Sequence, residues 1–425
     1  MHDATPSKPL RIAFVAPPFA GHLNPLLALV EAARDAGHDV RVITGARKRA
    51  AVEGRGLAAV TLDCLAGPML EDIADTAAPV RGHPGRLLAQ LRRSLAVALL
   101  ARDELLGLWR AAPPDLVVAD SVAVSAGLAA TALGIPWITT IATPFAIEGR
   151  RGPPSYLGGW GAGDGALHRL RDAAGWAFVR TMKRALAFAA RRELAALGAQ
   201  LYRPDGSETC YSPTSILGFG LTELEFARDW PAAFQMIGPL TPNPEAVAPP
   251  ALPPGRPRVL VTLGTHLPWA KATLADDLAR LAAARPGVTF VGSLGTAEAG
   301  LAARPLADNA VLLPFVPYDA QLAAFDAVIH HGGAGITYAA IAAAKPALVV
   351  PHDYDQFDYA ARVVAKGAGL RATRLVSDAT CAALDRVLQP QLFPALPALA
   401  RAAARYRPRA AFLAEVDRVV GAHSR

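Results

Sequence analysis

The chain has 425 residues, room for two large domains. Apolar residues make up 52% and charged residues 19%, which excludes a disordered chain and supplies ample material for packed cores. The net charge of +7 favours anionic partners such as nucleotides or acidic lipids, but no aromatic-basic nucleic-acid motif occurs, so RNA and DNA are not expected.

Only Cys64, Cys210 and Cys381 occur, far apart and without a CxxC, so neither a disulfide framework nor a zinc ribbon is expected. Met1 to Pro9 holds no apolar signal core, and a reducing, cytoplasmic setting is the expectation. Ser121 to Ile147 lacks charge and has the length of a membrane span, yet Gly134-Ile135-Pro136 breaks it. It reads as helix, turn and buried strand.

In chain order, Arg11 to Pro17 reads as a buried parallel strand. Asn24 suits an N-cap and Pro25 a first helical position, with Gly37 as the helix stop. Val40 to Thr44 completes a βαβ unit. Asp115 to Ala119 reads as a strand, Ser125 to Leu133 as a helix and Pro136 to Ile141 as a strand. The alternation implies a doubly wound parallel sheet. The segments 65–108 and 165–197 read as helical insertions that build a pocket or lid.

Thr241 to Pro257 contains seven prolines, so it reads as a semi-rigid spacer and a domain boundary. A second α/β half then starts with the strand Arg258 to Leu263, followed by Gly264-Thr265. Val288 to Gly292, Val311 to Leu313, Ala327 to His330 and Ala347 to Val350 are its further strands. Arg409 to Val420 is amphipathic and suited to packing back on the first half.

The strongest chemical signal is strand, Gly-rich turn and helix at His330-His331-Gly332-Gly333-Ala334-Gly335-Ile336-Thr337. The glycines let backbone approach a ligand, and the helix N-terminus suits a diphosphate. His331 and Thr337 can add hydrogen bonds to it. Asp355-Gln356 follows the next strand at the same edge, where a carboxylate beside an amide suits sugar hydroxyls.

These residues resemble the donor signature of nucleotide-sugar glycosyltransferases, in the family that includes plant secondary-product, macrolide, glycopeptide and sterol enzymes. The likeness extends over nearly the whole chain. Gly264-Thr265 resembles the family's SLGT turn. Phe315-Val316-Pro317 resembles its base-holding segment, and Leu221 to Pro231 the end of its acceptor domain. Gly21-His22 with Asn24-Pro25 resembles its GHxNP motif.

The resemblance implies an α/β GT-B fold: two facing Rossmann-like domains, a cleft between them, and a C-terminal helix crossing back. It implies an acceptor domain over 1–240, the linker 241–257, a donor domain over 258–405 and the crossing helix over 406–425. The donor would meet Gly264, Thr265, Phe315, Val316, His331, Gly333, Ala334, Gly335, Ile336, Thr337, Asp355 and Gln356. His22 would act as general base with Asp120 behind it, in an inverting, metal-independent transfer to a hydroxyl of an apolar small molecule. UDP-sugar is expected ahead of dTDP-sugar. An epimerase or hydrolase on the same fold, or a non-catalytic helper, are the alternatives.

Three residues depart from the family pattern: Ile336 replaces a hydroxyl residue, Ala339 an acid and Tyr318 a glutamine. The basic segment Arg169 to Arg192 reads as a solvated face, with peripheral membrane contact as the lesser reading.

Overall fold

A computed structural model describes residues 8–67, 69–76, 79–80, 83–240, 249–266, 268–296 and 301–423. The first half runs β1 (Arg11–Val15), α1 (Ala20–Asp35), β2 (Asp39–Ile43), α2 (Arg49–Glu53), β3 (Ala58–Val60), α3 (Met69–Ala74), α4 (Pro84–Ala111), β4 (Leu116–Asp120) and α5 (Val124–Ala132). It continues with β5 (Trp137–Ile141), α6 (Ala166–Ala189), α7 (Arg191–Ala196), β6 (Ile216–Gly218) and β7 (Phe234–Met236).

The second half runs β8 (Arg258–Thr262), α8 (Pro268–Lys271), α9 (Leu274–Ala284), β9 (Thr289–Ser293), β10 (Arg304–Ala307), β11 (Ala310–Leu313), α10 (Tyr318–Gln321), β12 (Ala327–His330) and α11 (Ala334–Ala342). It ends with β13 (Ala347–Val349), α12 (Gln356–Ala365), β14 (Gly369–Arg371), α13 (Asp378–Val387), α14 (Leu396–Arg405) and α15 (Pro408–His423).

Two sheets result, in the orders β3-β2-β1-β4-β5-β6-β7 and β10-β11-β9-β8-β12-β13-β14. Every pairing is parallel except β10 with β11. Both are Rossmann-like, and the expected α/β architecture is what the chain forms. Alternation along β1 explains the layering. Ile12 and Phe14 face a core shared with α1, whereas Ala13 and Val15 face a core shared with α4 and α5. With helices on both faces, β4 and β5 are buried throughout, hence their largely apolar and β-branched sequences, LVVAD and WITTI.

The last helix crosses back as expected. Phe412, Val416 and Val419 of α15 enter the core of the first half, with the Phe412 ring 5.9 Å from that of Phe14. Residues 241–248 of the proline-rich spacer lie outside the described residues. Ser121 to Ile147 forms helix, turn and strand, and among the described residues no helix is long and apolar enough to cross a membrane.

The sheet orders place two switch points. β1 lies between β2 and β4, and β8 lies between β9 and β12. At each, successive crossovers leave in opposite directions, which opens a crevice beyond the strand ends. α12 also docks on the first half. Arg362 binds Glu225 at 2.9 Å, both nearly fully buried, and the Tyr359 hydroxyl donates to the Ala142 carbonyl at 2.9 Å.

One local expectation is corrected. α1 starts at Ala20 with Phe19 as N-cap, so Asn24 is not the cap and Pro25 sits inside the helix. Pro25 has no N–H to give the Gly21 carbonyl, so that turn lacks one hydrogen bond. The nine buried positions of α1, Leu23 through Ala33, hold the helix despite it.

Candidate active site

The two crevices face one another across a cavity of about 660 Å³, lined by both halves. His22 enters it from the first turn of α1. Its Nδ1 lies 3.0 and 3.1 Å from the two carboxylate oxygens of Asp120, the last residue of β4. Register explains the meeting: Val15 pairs with Ala119, so Asp120 reaches the edge where α1 begins. Asp120 Oδ1 also accepts the Val122 N–H at 2.9 Å, which fixes the carboxylate. Burial opposes charge on His22, but the Asp120 charge and hydrogen bond, with Asp355 beyond, raise its pKa above the ordinary value. Nδ1–H donation to Asp120 leaves Nε2 as the free base nitrogen.

The opposite wall is the Gly-rich turn. Gly333 caps α11, and the first N–H inside that helix to find a helical acceptor is that of Thr337, bonded to the Gly333 carbonyl. The amides of Ala334, Gly335 and Ile336 therefore have no intrahelical acceptor, and all three residues line the cavity. His331 is wedged between the two glycine turns. A Cβ on Gly264 would come within 2.6 Å of its ring, and one on Gly333 would overlap its Nε2. Gly332 has φ +96°, and a Cβ there would meet the Gln356 carbonyl at 2.7 Å. Burial, with smaller repulsion from His352, pushes the His331 pKa down to about 3. His331 is thus neutral and can offer a ligand a hydrogen bond but no charge. His330 is buried in the strand, where its Nδ1 accepts the Gly332 N–H at 3.0 Å and secures the turn.

Thr265, Phe315, Asp355 and Gln356 also line this cavity. Two expected donor residues do not. Thr337 is 1% exposed, and its hydroxyl donates to the Gly333 carbonyl at 2.8 Å. One turn inside the helix, it is rotated away from the N-terminal amides. Val316 points into the core with Leu260, Val291 and Phe325. Ala339 is likewise buried in that core. Gln356 is only partly free, because its Oε1 accepts the N–H of His352 at 2.7 Å and of Asp353 at 3.2 Å.

Sequence comparison converges on the same chemistry. Residues 295–415 match the family model for the erythromycin biosynthesis protein CIII-like C-terminal domain, and residues 26–196 match that for glycosyltransferase family 4. The 4'-demethylrebeccamycin synthase of Lentzea aerocolonigenes is 28% identical over 373 residues, covering 85% of this chain and 87% of that protein. These likenesses support a glycosyltransferase of the natural-product type. The glycotransferase of kitacinnamycin shares the fold at TM-score 0.70 and 22% identity, over 97% of this chain and 99% of that one. So does SsfS6 of Streptomyces sp. SF2575, complexed with thymidine diphosphate, at TM-score 0.64 and 24% identity, over 96% and 99%.

The glycosyltransferase also holds site residues that the motifs do not reveal. The Thr143 hydroxyl, just past β5, donates to Asp355 Oδ2 at 2.6 Å. Burial raises the Asp355 pKa, and the Thr143 bond and His22 work against that rise. Lys271 Nζ lies 3.0 Å from the Thr265 carbonyl and 3.4 Å from that of Gly264, so it ties down the turn. His266 Nδ1 lies 3.0 Å from Asp75 across the two halves. Thr143 alone left a usable signal, since it follows a strand at the same edge as Asp120. The pairing of His266 with Asp75 depends on how the halves meet.

The pocket beyond His22 is apolar. Leu65, Ile73, Val97 and Ala101 form its wall, from α3, α4 and the chain before them. Of the two helical insertions read from the sequence, 65–108 builds this pocket, whereas no residue of 165–197 lines it.

Proposed function

We propose that this glycosyltransferase moves a sugar from a pyrimidine nucleoside diphosphate to a hydroxyl of an apolar small molecule, with inversion at the anomeric carbon. The observation that carries the reading is the His22–Asp120 pair facing the free amides of α11 across one cavity. His22 Nε2 takes the acceptor proton while Asp120 stabilises the imidazolium. The acceptor oxygen bonds the anomeric carbon, and the bond from that carbon to the diphosphate oxygen breaks. The departing diphosphate keeps the electron pair and meets the amides of Ala334, Gly335 and Ile336. These steps use only side chains, backbone and the two substrates.

Acceptor class follows from the wall. A pocket built by Leu65, Ile73, Val97 and Ala101 favours a flat or chain-like apolar aglycone over a sugar or peptide. The relative that makes 4'-demethylrebeccamycin and the neighbour bound to thymidine diphosphate support a natural-product acceptor and a pyrimidine donor. UDP and dTDP differ by a ribose hydroxyl and a base methyl, and Phe315 and Tyr318, which line the cavity, are the residues proposed to sense the difference.

The test is nucleotide release from UDP-glucose and dTDP-glucose, with and without a panel of hydroxylated polyketides, carotenoids, sterols and phenols. Acceptor-dependent release, abolished in His22→Ala, is the expected result. Equal release without any acceptor would replace transfer by hydrolysis.

A further inference from the structure

α6 carries a face that nothing among the described residues of the first half covers. Its inner side packs through Asp172, Gly175 and Trp176. Leu167, Leu170, Phe178 and Phe188 point the other way and are 81%, 69%, 54% and 70% exposed. At about 100° per residue, these four fall within roughly 80° of one another on the helix, opposite Trp176. A lone exposed leucine is ordinary, but four large apolar residues in one stripe are not.

The charge around the stripe is one-sided. Asp172, the single acid in α6, is buried against Arg171, and Glu193, the acid of α7, is paired with Arg92 at 3.2 Å. Arg184 flanks the stripe, and Arg191 with Arg192 continue it into α7, all three exposed. The Arg191 guanidinium lies 4.6 Å from the Phe188 ring, over its face. Arg180 and Lys183, by contrast, turn inward to Glu148.

We infer that the outer face of α6 docks the enzyme on an anionic membrane surface, apolar side chains entering the acyl boundary and arginines meeting lipid phosphates. The charge pattern selects this occupant. Arginines bordering an apolar stripe call for an apolar and an anionic phase side by side, and anionic lipid supplies both at once. Amphipathic helices with arginine on the polar flank and Phe or Leu on the other lie in that interface. Two weak signals together are what stable yet reversible anchoring takes.

Flotation of the whole enzyme on vesicles tests this without any turnover, so it succeeds or fails independently of the transfer reaction. The enzyme should float with vesicles of equal parts phosphatidylcholine and phosphatidylglycerol, should not float with phosphatidylcholine alone, and should release as salt rises. Replacing Leu167, Leu170, Phe178 and Phe188 by Gln should lower binding more than tenfold. Arg184→Gln and Arg192→Gln should each lower it roughly fivefold at low salt. Thermal melting and turnover on a water-soluble acceptor should stay at the parent values, because these side chains touch neither core nor cavity. Failure of the parent enzyme to float, or equal flotation of the Gln variant, overturns the proposal. So does a parent dimer, seen by light scattering, that the Gln variant dissolves while vesicle binding is absent; the face would then join two protein chains.

Discussion

The hydroxyl of Thr143 donates to Asp355 Oδ2 at 2.6 Å, joining the end of β5 in one half to the N-cap of α12 in the other. Both residues line the cavity, and His22 lies close enough for its charge to act on Asp355. The carboxylate expected to hold the sugar is therefore aimed by the acceptor-side half. Donor and acceptor sites share a wall through this one bond.

Thr143→Val should remove that bond and leave a buried carboxylate oxygen short of a donor, a cost of about 1–3 kcal/mol. kcat/KM for the sugar donor should fall about tenfold or more, and Thr143→Ser should restore it. Affinity for the free nucleoside diphosphate should hold, since Asp355 lies beyond the turn that carries the amides. Calorimetry beside donor kinetics checks this, and parallel loss of both would mean that the bond merely holds the halves together.

His22→Ala should lower kcat by ~10²–10⁴-fold at saturating substrates, the usual worth of a general base. Nucleotide binding should be unchanged. A variant with near-parental kcat would remove His22 from the chemistry.

The pH profile follows from the pair. A general base acts unprotonated, and the His22 pKa is raised above 6.5. Activity should therefore fall as pH drops through that raised value, higher than for an isolated imidazole. Asp120→Asn removes the main cause of the rise, so the acid limb should move to lower pH. The plateau should fall too, because Asn no longer stabilises the imidazolium. An acid limb that stays in place in Asp120→Asn would assign the titration elsewhere. His331, already neutral with a pKa of about 3, should add no pH dependence to nucleotide binding across the neutral range.

Gly264→Ala and Gly333→Ala test the wedge. Each added methyl would collide with the His331 ring. Gly264 also has φ +76°, where alanine is strained, so its variant should lose stability as well as binding. Gly333, with φ −70°, adds no such strain. Gly333→Ala should weaken UDP and dTDP binding more than tenfold, about as much as His331→Ala, with little change in melting temperature. Unchanged binding in Gly333→Ala would mean that the ring does not contact the diphosphate.

How much of this was written in the sequence depends on the range of the cause. The long buried strands were legible because a strand covered on both faces has little choice but Val, Ile and Ala. The donor turn was legible because its glycines answer to a neighbour fixed by the same motif, His331. The edge strands β3, β7, β10 and β14 are short and only partly buried, so no unbroken apolar run marks them as it marks the equally short but buried β12 and β13. The start of α1 was misplaced because a local rule, proline at the first turn, was outvoted by apolar burial along the whole helix. Thr337 looked like a ligand because it is adjacent in sequence; helical rotation turned it inward. Thr143 with Asp355, and His266 with Asp75, join residues 212 and 191 apart, and only the docking of the halves makes them neighbours.

Gln356 gives the sharpest test of the sugar site. Its Oε1 already accepts the N–H groups of His352 and Asp353, so only the amide NH₂ remains to meet a sugar hydroxyl. Two roles are thus fused in one side chain, and two substitutions separate them. Gln356→Leu leaves both N–H groups unpaired in a buried loop, about 1–3 kcal/mol each, so melting temperature and all activity should fall together. Gln356→Glu keeps an acceptor for both N–H groups and loses the NH₂ donor. Its melting temperature should stay near the parent value at neutral pH, while KM rises for donors whose hydroxyl accepted that hydrogen bond. A donor lacking that hydroxyl should lose far less, because the parent site rejects it for the pairing it cannot make. If Gln356→Glu melts normally and keeps parental kinetics with every donor, the NH₂ touches no sugar, and Gln356 serves the loop alone.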